Sequence, residues 1–137
     1  MTISGRDAET LRRARLLQIE MRKLRNELDD QRDVALRSPP LDGVPGRCAD
    51  ADRMTARLIR IEKMERRESA LLRMAVGAQE AARRVCRRMT DMKARMFLEA
   101  YYADAMPLET AIRTAGVAQR TAMQYVRLAG DTPDGEA

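Results

Sequence analysis

Between Ser38 and Gly46 the chain carries three of its five prolines and two of its seven glycines. No helical hydrogen-bond ladder survives that density, because proline removes a donor and clashes with the preceding turn. This run, 38–46, is therefore a loop, and it divides two stretches of helix-forming character. From Ser4 to Leu36 there is no proline and no glycine after Gly5; from Arg47 to Met106 there is no proline and one glycine, Gly77. Both are rich in Arg, Ala, Leu, Met and Glu, the residues that lose least on entering a helix.

The first stretch opens with Ser4 followed by Asp7, a weak capping signal. Leu17, Met21, Leu24 and Leu28 then recur at helical spacing, one narrow apolar stripe among charged neighbours. Such a stripe suits a coiled-coil or hairpin seam. After the loop, Asp50 or Asp52 is the expected cap, and Met54, Leu58 and Ile61 restart the period. From Met64 it continues through Leu71, Ala75, Ala78, Ala82, Val85, Met89, Met92 and Met96. Gly77, inside this run, marks either a break or a close helix crossing. The two stretches are expected to pair as an antiparallel hairpin and, because the first stripe is too narrow for a core of its own, to mediate self-association.

All four aromatic residues, Phe97, Tyr101, Tyr102 and Tyr125, fall in the last third of the chain. Leu98, Met106, Leu108, Ile112, Val117 and Leu128 lie among them, so a small globular core is expected there. The fold class read from these patterns is all-α: a long, coiled-coil-like N-terminal helical hairpin over 1–88 and a compact module over 89–130. The segment 131–137 is acidic and turn-rich and is expected to be disordered.

Composition narrows the function. The chain has no histidine, and Cys48 and Cys86 stand far apart. That pattern supports neither a metal cluster nor a disulfide framework and removes the commonest general base near neutral pH. No nucleophile or phosphate-loop constellation replaces it, so an enzyme is not expected, nor a cofactor or metal. No long apolar run and no apolar leader after the first residues are present, which makes a cytoplasmic protein without a membrane partner the expectation. The formal net charge is +5, with +6 carried by residues 47–99 against +1 before and −2 after. An anionic partner meeting the middle segment is implied.

Residues 107–128 carry the functional signal. A helix can start at Pro107, whose missing N–H costs little in a first turn, and run to Ala115. Gly116 supplies a left-handed turn, Val117 tucks inward, and a second helix follows from about Ala118 to Ala129. Preceded by a helix over Met89–Tyr102, this is the order of a helix-turn-helix, whose second helix enters the DNA major groove. An α-α corner without a ligand has the same local pattern. With Val117, Ala122, Tyr125 and Val126 inward, Gln119, Arg120, Thr121, Met123, Gln124 and Arg127 point to solvent. Gln119, Arg120 and Gln124 suit base edges, and Thr121 and Arg127 suit phosphate. Upstream, Arg83, Arg84, Arg87, Arg88, Lys93 and Arg95 form a basic cluster, of which Arg84, Arg87 and Arg88 are the phosphate-contact candidates. Alone, that cluster reads as a solvated helix face.

The order of a charged helix, the loop Ser38–Gly46, a second helix with Ile59–Glu62, and a C-terminal segment with Arg95–Tyr102, Leu108–Glu109 and Gly116–Val117 resembles a group of small phage proteins. These are the late-gene transcriptional regulators of the ArpU/RinA type, whose C-terminal part is similar to sigma factor region 4. The resemblance implies a sequence-specific regulator that binds double-stranded DNA through residues 107–128. It also implies an N-terminal hairpin presented to a second copy, as a homo-oligomer, or to RNA polymerase. Two alternatives stand beside it: a DNA-packaging component akin to a small terminase subunit, and a coiled-coil adaptor that binds no DNA.

Overall fold

A computed structural model describes residues 1–36 and 47–132, and among them every regular element is helical. In chain order these are α1 (Gly5–Leu36), α2 (Arg47–Arg87), α3 (Met92–Leu98) running directly into a π turn (Glu99–Ala103), α4 (Leu108–Ala115) and α5 (Gln119–Leu128). The class is all-α, as the sequence indicates. The expected loop at 38–46 lies outside the described residues.

Local chemistry sets the helix ends. The Ser4 Oγ accepts the Asp7 N–H at 3.2 Å, and Asp7 adds a negative charge to the first turn of α1, where the helix dipole favours it. α2 is a single helix of 41 residues. Gly77 neither breaks it nor marks a close crossing, since a Cβ built there would meet nothing within 4 Å. α2 begins at Arg47, so Asp50 and Asp52 stand inside the helix and not at the cap position expected for one of them. It closes with two short turn bonds, Arg88 N–H to Val85 O at 3.3 Å and Met89 N–H to Cys86 O at 3.1 Å. Asp91 then opens α3, its Oδ1 accepting the N–H groups of Lys93 and Ala94. The apolar period that ran on to Met92 and Met96 therefore crosses a helix break, and these two side chains are 63% and 42% exposed.

Contacts divide the chain into two compact units, one of Met1–Glu20 with the chain from Arg73 onward, the other Met21–Leu72. The sequence boundary at 88/89 falls inside the first of these. Three helices of 7, 8 and 10 residues bury too little to stand alone, and the start of α1 and the end of α2 complete their core. Leu11 and Ala14 from α1, and Ala82, Val85 and Cys86 from α2, join Phe97, Leu98, Tyr101, Tyr102, Ala111, Ala122 and Val126 in one cluster. Phe97 stacks on Tyr101 at 5.6 Å between centroids, Tyr102 meets Tyr101 edge-on at 4.9 Å, and Tyr125 tilts against Phe97 at 5.9 Å.

The π turn shapes this unit. Asp104 N–H bonds to Glu99 O at 3.0 Å and Met106 N–H to Ala100 O at 3.0 Å, a widened backbone that ends with Ala105 at φ 51°. Four consecutive residues, Ala100 to Ala103, are buried there. Arg15 holds the widened turn. Its Nη1 donates to Tyr101 O at 2.6 Å and to Met106 O at 2.9 Å, and its guanidinium lies 3.8 Å from the Tyr101 ring centroid. A cation at the end of a helical segment, bonded to two carbonyls and stacked on an aromatic face, is favoured on three counts. Gln79 Nε2 adds a bond to Ala103 O at 3.1 Å.

The second unit is simpler. Among the described residues, Met21, Leu24 and Leu28 from α1 and Ile61 from α2 are its buried apolar side chains, and Arg32 pairs with Glu65 at 3.3 Å between the two helices. The α1 stripe is thus covered within one chain and needs no second copy to be buried. Val34, Leu36, Met54, Leu58 and Ile59 stay exposed. Among the described residues no helix is long and apolar enough to cross a membrane.

Candidate nucleic-acid interface

α4 follows Pro107, whose extended ψ of 150° places it just outside the helix. The helix ends at Gly116, at φ 65° and ψ 36°; Gly116 N–H and Val117 N–H both return to Ile112 O, at 2.9 and 3.3 Å. Only glycine adopts this left-handed conformation without cost, and no neighbour crowds the site, so the requirement is one of backbone conformation. Ala118 then begins α5 without a side-chain cap. The connection Gly116–Ala118 has the length and the glycine of a helix-turn-helix.

α5 is firmly seated on one side. Ala122, Tyr125 and Val126, with Ala129 just beyond, are buried at three- and four-residue spacing. The Tyr125 hydroxyl donates to Asp91 Oδ2 at 3.3 Å, so one carboxylate both caps α3 and anchors α5. Burial, and after it the Asp91 charge, hold that phenol above its ordinary range. Beyond the helix, Gly130 at φ 71° turns the chain and Asp131 N–H bonds to Val126 O at 3.2 Å. Tyr102 donates to Asp131 Oδ2 at 3.4 Å. The segment expected to be disordered from 131 onward is therefore anchored at its first residue; 133–137 lie outside the described residues.

The outward side of α5 carries Gln119, Arg120, Gln124 and Arg127, all exposed, and no acidic residue lies between Gln119 and Leu128. Thr121 is half-buried. Met123 packs against the core, which removes it from the solvent-facing set in which the sequence placed it. An open groove beside the helix is lined by Met1, Gln124, Tyr125, Arg127 and Leu128. Met1 also borders a second hollow, with Asp7, Arg88 and Thr90 among its walls. The later half of α5 and Arg88 thus flank the same N-terminal residue.

The basic cluster resolves into different roles. Arg83 is structural: it pairs with Asp104 at 3.0 Å and Glu99 at 3.7 Å, beside Gln79, and ties α2 to the π turn. Arg88 is exposed but lies 3.0 Å from Asp7 of α1. Arg84 and Arg87 are exposed and, among the described residues, pair with no carboxylate; with Glu80 and Arg83 they line an open depression on α2. Lys93 is exposed and Arg95 half-buried on α3.

Arg15, Asp91 and Asp104 were not singled out by the sequence, and Asp7 only as part of the cap of α1. Arg15 had one signal, standing four residues after Leu11 on the buried face of α1. Asp91 had another, directly preceding a helix-forming stretch. Cys86 is a buried free thiol pushed up to about 12, chiefly by burial and then by Glu99. The side chain of Cys48 lies outside the described residues. Among the described residues no group of metal-binding side chains is assembled.

An all-helical unit with an anchored α5 and a basic, polar outward face is what these elements define. Comparison with family models, curated proteins and solved structures finds no match for this chain.

Proposed function

We propose that this protein binds duplex DNA through α5, as a cytoplasmic, non-enzymatic regulator of transcription of the phage late-gene type. One observation carries the reading. α5 is fixed by Tyr125, Ala122 and Val126 on its inner side, while Gln119, Arg120, Gln124 and Arg127 stand outside with no carboxylate among them. A rigid helix with paired amide and guanidinium donors is the chemistry that reads base edges in the major groove. Arg84 and Arg87 supply the sequence-independent attraction to phosphate.

Within this reading a second copy of the chain and RNA polymerase are further partners, tested by native mass and by co-purification with the polymerase. The DNA reading itself is tested by selecting bound fragments from a phage and host genome at near-physiological salt. Enrichment of a shared motif supports it. Recovery of no DNA above background, from a folded protein, removes it in favour of the helical adaptor.

A further inference from the structure

The two exposed cations nearest one another in sequence at the end of α2, Arg87 and Arg88, stand in different electrostatic circumstances. Arg87 has no ion-pair partner among the described residues, whereas the Arg88 guanidinium is held 3.0 Å from the Asp7 carboxylate. The pair is held across 81 residues of chain. Arg88 is 66% and Asp7 30% exposed at the side chain, and both border an open hollow. Asp7 is not needed to complete the α1 cap in its ionised form, because the bond to Ser4 uses the Asp7 backbone N–H.

We infer that Asp7 restrains DNA affinity by occupying Arg88 in place of a backbone phosphate. The inference rests on the DNA reading above and deepens it. A carboxylate at hydrogen-bond distance presents to the guanidinium the same charge and acceptor geometry that a phosphate presents. It also repels any phosphate that approaches the pair. Exposed pairs of this kind are weak, so the restraint is modest and adjustable, and does not block binding. Arg83 differs because two carboxylates and the π turn engage it, and its release would disturb the core. Arg84 and Arg87 therefore carry the phosphate contacts of the parent protein, with Arg88 in reserve.

The test is a double-mutant cycle on duplex DNA of one sequence, titrated over a range of salt concentrations, with circular dichroism confirming that each variant is folded. Asp7→Asn should tighten binding about fivefold at low salt. It should also steepen the slope of log affinity against log salt by about 0.9, the mark of one added phosphate contact. Arg88→Gln in the parent should change affinity less than about twofold, and the double variant Asp7→Asn/Arg88→Gln should return to the parent slope. The inference is overturned if Asp7→Asn binds like the parent, if its tightening persists in the double variant, which has the net charge of the parent, or if Arg88→Gln in the parent weakens binding as much as Asp7→Asn tightens it, the mark of a general effect of net charge. A parent protein with no salt-dependent DNA binding at all would instead sink the DNA reading and this inference with it, a result visible before any variant is made.

Discussion

α1 and α2 each run through both units, yet the two units are held by different means. In the 21–72 unit the helices meet along a repeating apolar seam supported by an interhelical ion pair, Arg32 to Glu65. In the other, side chains bridge distant segments: Arg15 to the carbonyls of Tyr101 and Met106, Gln79 to the carbonyl of Ala103, and Tyr125 to the Asp91 carboxylate that caps α3. The contrast lies in what fixes a unique arrangement. A seam of Leu and Met tolerates slippage by a heptad, while a charged donor placed between two carbonyls accepts one geometry only. Precision is invested where α5 is positioned.

The largest expected effect comes from breaking that precision. Arg15→Met removes both carbonyl bonds and the stacked cation, and should cost about 3 to 5 kcal/mol in the unit that contains it. Every aromatic residue lies there, so near-ultraviolet dichroism reports that unit alone while far-ultraviolet dichroism reports both. The variant should lose near-ultraviolet signal early in a thermal scan and expose Cys86 to alkylation. In the parent that thiol, pushed up to about 12 by burial, should react only as the unit opens.

Leu28→Ala should give the complementary result. Leu28 is fully buried in the seam, and its truncation costs about 2 to 5 kcal/mol if the seam cannot collapse around it. Helix content should fall at lower temperature while the tyrosine signal and DNA binding persist. Native mass should not change through this residue alone, since its burial is within one chain. Coincident loss of both signals would show that the two units do not melt separately.

A smaller effect is expected at the turn. Gly116→Ala should cost about 1 to 2 kcal/mol, from the left-handed backbone alone because no atom crowds the added methyl. Gly116→Asn, which tolerates that conformation better, should recover part of it. Equal stability of Gly116→Ala and the parent would mean that the turn relaxes at no cost.

The helical class, the Ser4 cap, the seam residues Met21, Leu24 and Leu28, the left-handed Gly116 and the inward Ala122, Tyr125 and Val126 of α5 were legible in the sequence, whereas Met123 was placed on the wrong side. Each depends on residues within a turn or two of one another. The continuation of the apolar period through Met92 and Met96 was misleading, because periodicity does not see the break that Asp91 imposes. Nor was the contribution of α1 to the C-terminal core legible: Arg15 and Tyr101 are 86 residues apart, and nothing local says that an arginine on an apolar face will find two carbonyls. A separation of 81 residues likewise hid Asp7 as the partner of Arg88. The basic cluster was visible as a run of charge, but its division into structural, held and available arginines follows only from which carboxylates the fold brings near.

Whether α5 reads DNA sequence is decided by comparing a selected site with a scrambled duplex for the parent and for Arg120→Ala/Gln124→Ala. The parent should prefer the selected site, and the variant should lose about 1 to 3 kcal/mol of that preference for each bidentate base contact removed. Its binding to the scrambled duplex should stay within about twofold of the parent, because Arg84 and Arg87 supply that attraction. A variant that keeps the full preference of the parent would contradict the claim and place recognition, if any, outside α5.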